Sequence, residues 1–376
     1  MLVVAVVFAN SLGNKFVYDD KGFVVDNSAI RSLANIPSFF TSIKSFNSAG
    51  NFYVYRPLAV LSFALDYSLA KLNPLVFHLS SVVWHAAVSL MLYFLLNLIL
   101  EDERRALFAT LLFSLHPVQV ESVAWVTQRS NLISLFFFLL AFYMWIKNSS
   151  MGSLVCFSLA LLGKEMAITL PMIIILYDMC RGSDLRKRAK YYIPFFIADI
   201  IYLILRTAVL GRIGGQDAWA GGSAYAAGLT ALKAALFYVR LLLLPVNLCA
   251  AYHDFSPAVS LSEPGMLGSC AFIIAVLSIG VLLLREKRKE SFFILWFFVT
   301  LFPVSNIVPL QQVIVAERFL YFPSIGFCVL LSLMVFSLSK KTGCCLCDTH
   351  AYPLRFAFRK PERRLEGRHG VMGGEP

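Results

Sequence analysis

Charge is scarce in this chain. Only 15% of its 376 residues are charged, 59% are hydrophobic, and mean hydropathy is +0.72. Soluble domains carry roughly a quarter charged residues. The deficit excludes a single soluble globular domain, and disorder over most of the length. Cysteine supplies no framework. Cys156, Cys180, Cys270 and Cys328 fall in apolar segments as small packing residues. Cys249 stands alone in its loop, so no disulfide scaffold follows. Cys344, Cys345 and Cys347 with His350 resemble a metal cluster only weakly and fit juxtamembrane palmitoylation equally well. A phosphate loop, a dinucleotide-binding glycine fingerprint and an internal repeat are all missing.

Long apolar runs are abundant. A helix needs about 20 apolar residues to cross a bilayer core. Residues 75–100, 191–210, 265–284 and 318–338 fit that length, and shorter runs cover 1–12, 105–116, 131–147 and 291–303. The run 151–180 is interrupted by Gly163-Lys164-Glu165. The net charge of +11 bears first on orientation, because Lys- and Arg-rich loops stay cytoplasmic. Segments 101–105, 147–151, 181–190, 285–290 and 340–341 hold 14 cations. Placing them on one side makes 151–180 a hairpin with Lys164 and Glu165 at its far tip. It also makes 229–246 re-entrant or interfacial. The expectation is an all-α polytopic membrane protein of about ten transmembrane helices, with both termini cytoplasmic. Residues 1–338 form the membrane domain, and 339–376 a disordered basic cytoplasmic tail. Two large outer loops are expected: 13–74 with an interfacial helix over 56–70, and 211–264 with the re-entrant helix. The sequon Asn148-Ser149-Ser150 falls in a cytoplasmic turn and should be unused.

The informative residues are polar groups at the outer ends of spans. Asp19 and Asp20 follow the first apolar run, and paired carboxylates suit general-base or metal work. An ordinary solvated loop start fits them too. Arg56 sits before the interfacial helix, where a guanidinium can grip a lipid phosphate or simply snorkel. His116, Glu121 and Arg129 gather in one short loop between two spans. Ionisable groups at membrane depth are functional candidates by default. Lys164-Glu165 and Glu317-Arg318 complete a set on a single face, although each pair could be a local salt bridge. Mid-span residues are almost all apolar, with Asp199 the main exception, which argues against a transporter with a midplane site. Acids beside phosphate-sized cations at one membrane face suit an enzyme that uses a lipid-phosphate donor.

Five stretches carry a family resemblance. They read FVYDDKGFVVDN, YRPLAVLSFALDYSLAKLNPLVFHLSSVVWHA, HPVQVESVAWVTQRSNLISLFFFLLAF, LGKEMAITLP and SNIVPLQQVIVAERFLYFPSIGF. In that order the chain resembles the membrane half of the transmembrane and tetratricopeptide-repeat protein O-mannosyltransferases, over roughly residues 1–338. The resemblance implies a GT-C glycosyltransferase fold and a dolichyl- or polyprenyl-phosphate mannose donor. It implies inverting transfer, on the lumenal or periplasmic face, to a protein Ser or Thr hydroxyl or a glycan. Asp19 would be the base, with Asp20 assisting or replacing it, and Arg56 would contact the lipid phosphate. His116, Glu121, Arg129, Lys164, Glu165, Glu317 and Arg318 lie in matching motifs and would complete the donor site. No cofactor is required; a divalent metal at the Asp pair is allowed. Nucleic acid is not an expected partner. A bacterial inner membrane is favoured over the endoplasmic reticulum by the style of HPVQVESVAWVTQRSN. Competing outcomes are a transferase acting on a glycolipid or cell-wall polymer, a lipid-sugar carrier, and an inactive truncated homologue. The family continues into helical repeats, and no 34-residue repeat is seen here.

Overall fold

The computed structural model describes residues 1–46, 54–211, 219–252, 254–308 and 313–342. Among these residues it is helical without a strand. The α-helices are α1 (Leu2–Val7), α2 (Ser38–Thr41), α3 (Pro57–Ala70), α4 (Pro74–Leu100), α5 (Glu103–Leu115), α6 (Val120–Ala124) and α7 (Arg129–Ile146). They continue with α8 (Ser150–Gly163), α9 (Leu170–Cys180), α10 (Leu185–Leu210), α11 (Ala224–Leu243), α12 (Met266–Arg285), α13 (Lys289–Leu301) and α14 (Ser324–Thr342). Local chemistry sets their ends. Asn73 caps α4 through Leu75 N–H, with Pro74 in the first turn, where its missing N–H costs nothing. Asp102, Asp184 and Ser223 cap α5, α10 and α11 in the same way.

Five helical stretches are long and apolar enough to cross a bilayer: Pro74–Leu100, Val126–Ile146, Leu185–Leu210, Ala224–Leu243 and Met266–Arg285. A sixth arises if α5 and the bent segment Pro117–Ala124, at 55° to it, count as one span. The chain is therefore a multi-pass membrane protein, with fewer full-length spans than the ten or so expected. The shortfall lies in short helices. α1 covers 6 residues, about 9 Å, and does not form the crossing expected over 1–12. The 14 residues of α8 are likewise too few to cross the bilayer alone. Only 17% of the apolar stretch of α12 and 28% of that of α10 is buried, as expected for lipid-facing helices.

The interior is aromatic. Phe142 meets Tyr177 edge-on at 5.2 Å, Phe138 meets Trp296 at 5.7 Å, and Phe292 bridges Phe142 and Trp296. Such pairs add attraction beyond the area they bury. Two glycines permit close helix approach. A side chain at Gly163 would press on the backbone of Ser134 in α7, and one at Gly326 would strike the Phe293 carbonyl in α13. Ser134 and Ser153 complete the α7–α8 contact by donating to the carbonyls of Ala160 (2.9 Å) and Ala141 (2.7 Å).

The basic segments gather at one end of the bundle. Lys289 Nζ donates to the Leu100 carbonyl (3.2 Å), Ser332 to that of Arg105 (3.0 Å), and the end of Lys287 lies against Gly182. The break expected at Lys164-Glu165 is present, and α3 begins right after Arg56. α11 starts at Ala224, five residues before the expected 229, and runs unbroken. Length alone would let it cross. Its first half nonetheless bonds residues 256–258 and its second half bonds Ala316 and His116, all in segments that the charge pattern puts on the outer side. The expected tail lies almost wholly outside the described residues, as do the cysteines within it.

Candidate active site

The loop before α3, the α6–α7 junction, the α8–α9 tip and the segment before α14 meet at the opposite end. Two adjacent carboxylates enter it from the loop, and the backbone separates them. Tyr18 takes a left-handed conformation (φ 46°), and a tight turn follows. Asp20 is buried. Its Oδ1 accepts from Thr127 N–H (2.8 Å) and from the Thr127 hydroxyl, while Oδ2 accepts from Val17 N–H (3.1 Å). Asp20 thus pins the loop to the segment preceding α7. Burial raises its pKa, and the Thr127 and Val17 hydrogen bonds work against that shift. Asp19 is half-buried, and among the described residues its carboxylate makes no hydrogen bond or ion pair. Burial pushes its pKa up; Arg318 and Arg56 pull it down and Asp20 adds to the rise.

Two ion pairs frame Asp19. Arg56 forks onto Glu165, with NH2 to Oε1 at 2.9 Å and Nε to Oε2 at 3.3 Å, and its NH1 reaches the Ser130 hydroxyl at 3.4 Å. Burial would raise the Glu165 pKa, but Arg56, Lys164 and Arg206 outweigh it, so the carboxyl is held far below its ordinary range. Glu121 receives the Arg318 guanidinium on Oε1 and the Arg318 backbone N–H on Oε2 (2.7 Å). The same guanidinium lies 5.4 Å from the centre of the Trp125 ring. Between these pairs sits Lys164, 1% exposed, whose ammonium donates to Asn131 Oδ1 at 2.6 Å. An ammonium has three donors. Burial, with Arg56 beside it, lowers the Lys164 pKa well below its ordinary value, while Glu165 and Glu121 resist. A second anion placed there would let Lys164 hold its proton more strongly.

Three candidates face elsewhere. Arg129 is fully buried and uses four of its five N–H donors: it donates to Asp66 (2.6 Å), the Phe77 carbonyl (2.6 Å), Ser62 (3.2 Å) and Ser81 (3.2 Å). Its position at the start of α7 turns it toward α3 and α4, where these four bonds are made. His116 uses both ring nitrogens locally, Nε2 with the Leu242 carbonyl (2.9 Å) and Nδ1 with Val118 N–H (3.3 Å). Glu317 turns from Arg318 and accepts from Cys249 N–H and the Tyr252 hydroxyl, both at 2.7 Å. Burial lifts its pKa to about 6, despite the Tyr252 hydrogen bond.

Several residues at the site were not singled out by the sequence. Thr127, Ser130 and Asn131 are neutral and make their contacts across loops. Tyr202 of α10 packs against Tyr55 (6.0 Å between rings), and its buried hydroxyl has no hydrogen-bond partner among the described residues. Asp199, which the sequence did single out as the mid-span exception, lies one turn earlier, and its Oδ1 is also buried without a partner among them. The charge of Arg206 was a usable signal, since a cation inside an apolar run is costly. A divalent metal fits poorly. Both Asp20 oxygens are engaged, and no group of three His, Cys, Asp or Glu among the described residues could hold an ion.

No family model matches the chain, and no solved structure matches it. Curated relatives do. The chain is 28% identical to the mouse protein O-mannosyl-transferase TMTC3 over 88% of its own length and 41% of that protein. It is 27% identical to a protein O-mannosyl-transferase of Caenorhabditis elegans, over 88% of the chain and 50% of the relative. Human TMTC1, also named a protein O-mannosyl-transferase, is 28% identical over 86% of the chain and 43% of its own length. The resemblance drawn from the five sequence stretches is thereby borne out. The chain spans about half the length of the curated relatives it matches.

Proposed function

We propose that this chain is a membrane glycosyltransferase that moves a mannosyl group from a polyprenyl or dolichyl phosphate to a protein hydroxyl. The relatives' names support mannosyl transfer to protein. The clustering of acids and cations at the end opposite the basic loops supports a site on the outer or lumenal face. The membrane is that of the endoplasmic reticulum or a bacterial cell. Residues 1–338 form the transferase domain, in the GT-C arrangement.

One observation carries the mechanism. Of two neighbouring carboxylates, Asp20 is saturated, whereas Asp19 is half-buried, unbonded among the described residues, and under the influence of Arg318 and Arg56. A hydroxyl is a weak nucleophile until a positioned base takes its proton. Asp19 accepts that proton as the acceptor oxygen bonds to C1 of the sugar. The bond from C1 to the phosphate oxygen breaks on the opposite side, and its electron pair leaves with the lipid phosphate. A single displacement inverts the anomeric centre, so one base suffices. The departing phosphate gains charge, which Arg56, Lys164 and Arg318 stabilise. Lys164 fits this role because its buried ammonium meets one acceptor among the described residues and would welcome an anion.

The test uses the purified chain in proteoliposomes with mannose-labelled dolichyl phosphate mannose and, separately, a labelled nucleotide mannose. Label should reach protein only from the lipid donor, and Asp19→Asn should lower the rate by about 10²–10⁴-fold. Transfer from the nucleotide sugar alone, or an unaltered rate in Asp19→Asn, would overturn the proposal.

A further inference from the structure

The proposed reaction makes no use of the polar residues inside α10. Asp199, Tyr202 and Arg206 all lie on the one buried stripe of that helix, while Ile197, Ile200, Ile201 and Ile204 face outward. Two of the three have an atom to spare. The Tyr202 hydroxyl and Asp199 Oδ1 are buried with no hydrogen-bond partner among the described residues. Burying such atoms without partners destabilises a fold, so their presence asks for a partner from outside the chain.

Both atoms belong to the outer site although they sit inside a span. α8 and α10 start at the basic-loop end and run side by side, with Phe157 of α8 meeting Phe195 of α10 at 5.5 Å. From that contact seven residues bring α8 to Lys164 and seven bring α10 to Tyr202, about 10 Å along each helix. α8 has only 14 residues, so its tip, with the Glu165–Arg56 ion pair, lies well short of the outer end of the 26-residue α10. The site is therefore recessed, and α10 forms a wall of it. The charges of Glu165, Arg206 and Arg56 all act on Tyr202. Tyr55 flanks it, 6.0 Å away between ring centres, and spends its own hydroxyl proton on the Phe40 carbonyl (3.1 Å).

On the premise that the chain is the transferase described above, we propose that Tyr202 and Asp199 hold the transferred sugar: Tyr202 donates to one ring hydroxyl of the hexose, and Asp199 accepts from another. A phosphate placed there would meet the Asp199 carboxylate. A sugar offers hydroxyls that both donate and accept, which suits a donor and an acceptor three residues apart on one helix face. Aromatic rings beside a few placed polar groups commonly line small-molecule sites. The hexose then extends from a phosphate held by Arg56 and Lys164, with these hydroxyls turned to α10 and C1 left to Asp19.

Native mass spectrometry of the detergent-purified full chain compares retention of polyprenyl phosphate mannose with that of bare polyprenyl phosphate. Tyr202→Phe and Asp199→Leu should each weaken retention of the mannosyl lipid by about 5–150-fold, the range for one unmade hydrogen bond, and leave the bare lipid unchanged. Neither should unfold below the parent's midpoint, since each removes a buried atom that lacks a partner among the described residues. Tyr192→Phe is the opposite control. Tyr192, on the same stripe, donates to Asp178 at 2.8 Å, so this variant should lose stability and keep the lipid. Among deoxy forms of the mannosyl lipid, each missing one ring hydroxyl, the form that parent and Tyr202→Phe retain equally identifies the hydroxyl bonded by Tyr202. Transfer is scored separately. Sugar-dependent retention that these variants lose, in a chain that transfers nothing, would support the sugar contact and overturn the transferase; transfer at the parent's rate in both variants would overturn the sugar contact alone. Equal loss of both lipids, which marks a phosphate contact, or a lower unfolding midpoint with retention intact, which marks a packing role, would overturn it too.

Discussion

The two ends of the bundle hold charge in opposite ways. At the basic-loop end, cations outnumber carboxylates and many side chains are exposed, as with Lys187, whose side chain is 85% exposed. At the other end, charges are buried or partly buried and paired across distant segments: Arg56 with Glu165, Arg318 with Glu121, and Arg129 with Asp66. Exposed cations need no partner, and their positions orient the chain. Buried charges persist only where geometry and hydrogen bonds offset desolvation. Such matching makes an unmatched group informative. Among the described residues of this cluster, Asp19 is a carboxylate with neither an ion pair nor a hydrogen bond, and Lys164 has no ion pair and one acceptor, Asn131.

The contrast can be broken from its most costly member downward. Arg129→Met leaves Asp66 buried without its cation and should destabilise the chain by about 3–5 kcal/mol. The measurement is the thermal unfolding midpoint in detergent, and adding Asp66→Leu should recover much of the loss. Arg56→Gln should leave folding largely intact but lower kcat with the lipid donor by about 10²–10³-fold, the value of one donor to a developing negative charge. A change in the donor's KM alone would instead make Arg56 a ground-state binding group.

Two smaller effects depend on pH. Glu317 has a folded pKa of about 6 against an ordinary 4.5, so the folded state binds its proton more tightly than the unfolded state does. Its contribution is therefore fully present below about pH 4.5 and is lost as pH rises through about 6. Glu317→Gln should flatten the fall of the unfolding midpoint across that window. Asp19 must be ionised to act as a base, and its pKa is raised. The acidic limb of kcat/KM should thus lie above the ordinary Asp range, with the rate falling as pH falls. At the exposed end, Lys190→Gln should shift stability by less than about 0.5 kcal/mol.

Much of the architecture was legible in the sequence because it rests on local patterns. The charged tripeptide at 163–165 had to interrupt its apolar run, Pro57 had to start a helix, and the cations had to sit at one end. Partnership was not legible. Arg129 looked like a donor ligand because its bonding to Asp66, Ser62, Ser81 and the Phe77 carbonyl depends on how α3, α4 and α7 pack. His116 looked like a partner of Glu121 and Arg129 in its own loop, because the Leu242 carbonyl it meets arrives from 126 residues away. The family resemblance pointed to Asp19 as the base, but residue type alone did not separate it from Asp20, because the turn with Tyr18 at positive φ acts only in three dimensions. Neutral members such as Thr127 and Asn131 carry no signal until the fold brings them beside a charge.

The most direct measurement is a side-by-side comparison of Asp19→Asn and Asp20→Asn, with transfer rate from the lipid donor and unfolding midpoint recorded on the same preparations. Asp19→Asn should lose transfer while unfolding like the parent. Asp20→Asn should unfold at a lower temperature, because one Asp20 oxygen becomes an amide NH₂ facing groups that donate to it; whatever stays folded should retain a measurable rate. A stable but inactive Asp20→Asn beside an active Asp19→Asn would contradict the assignment of the base.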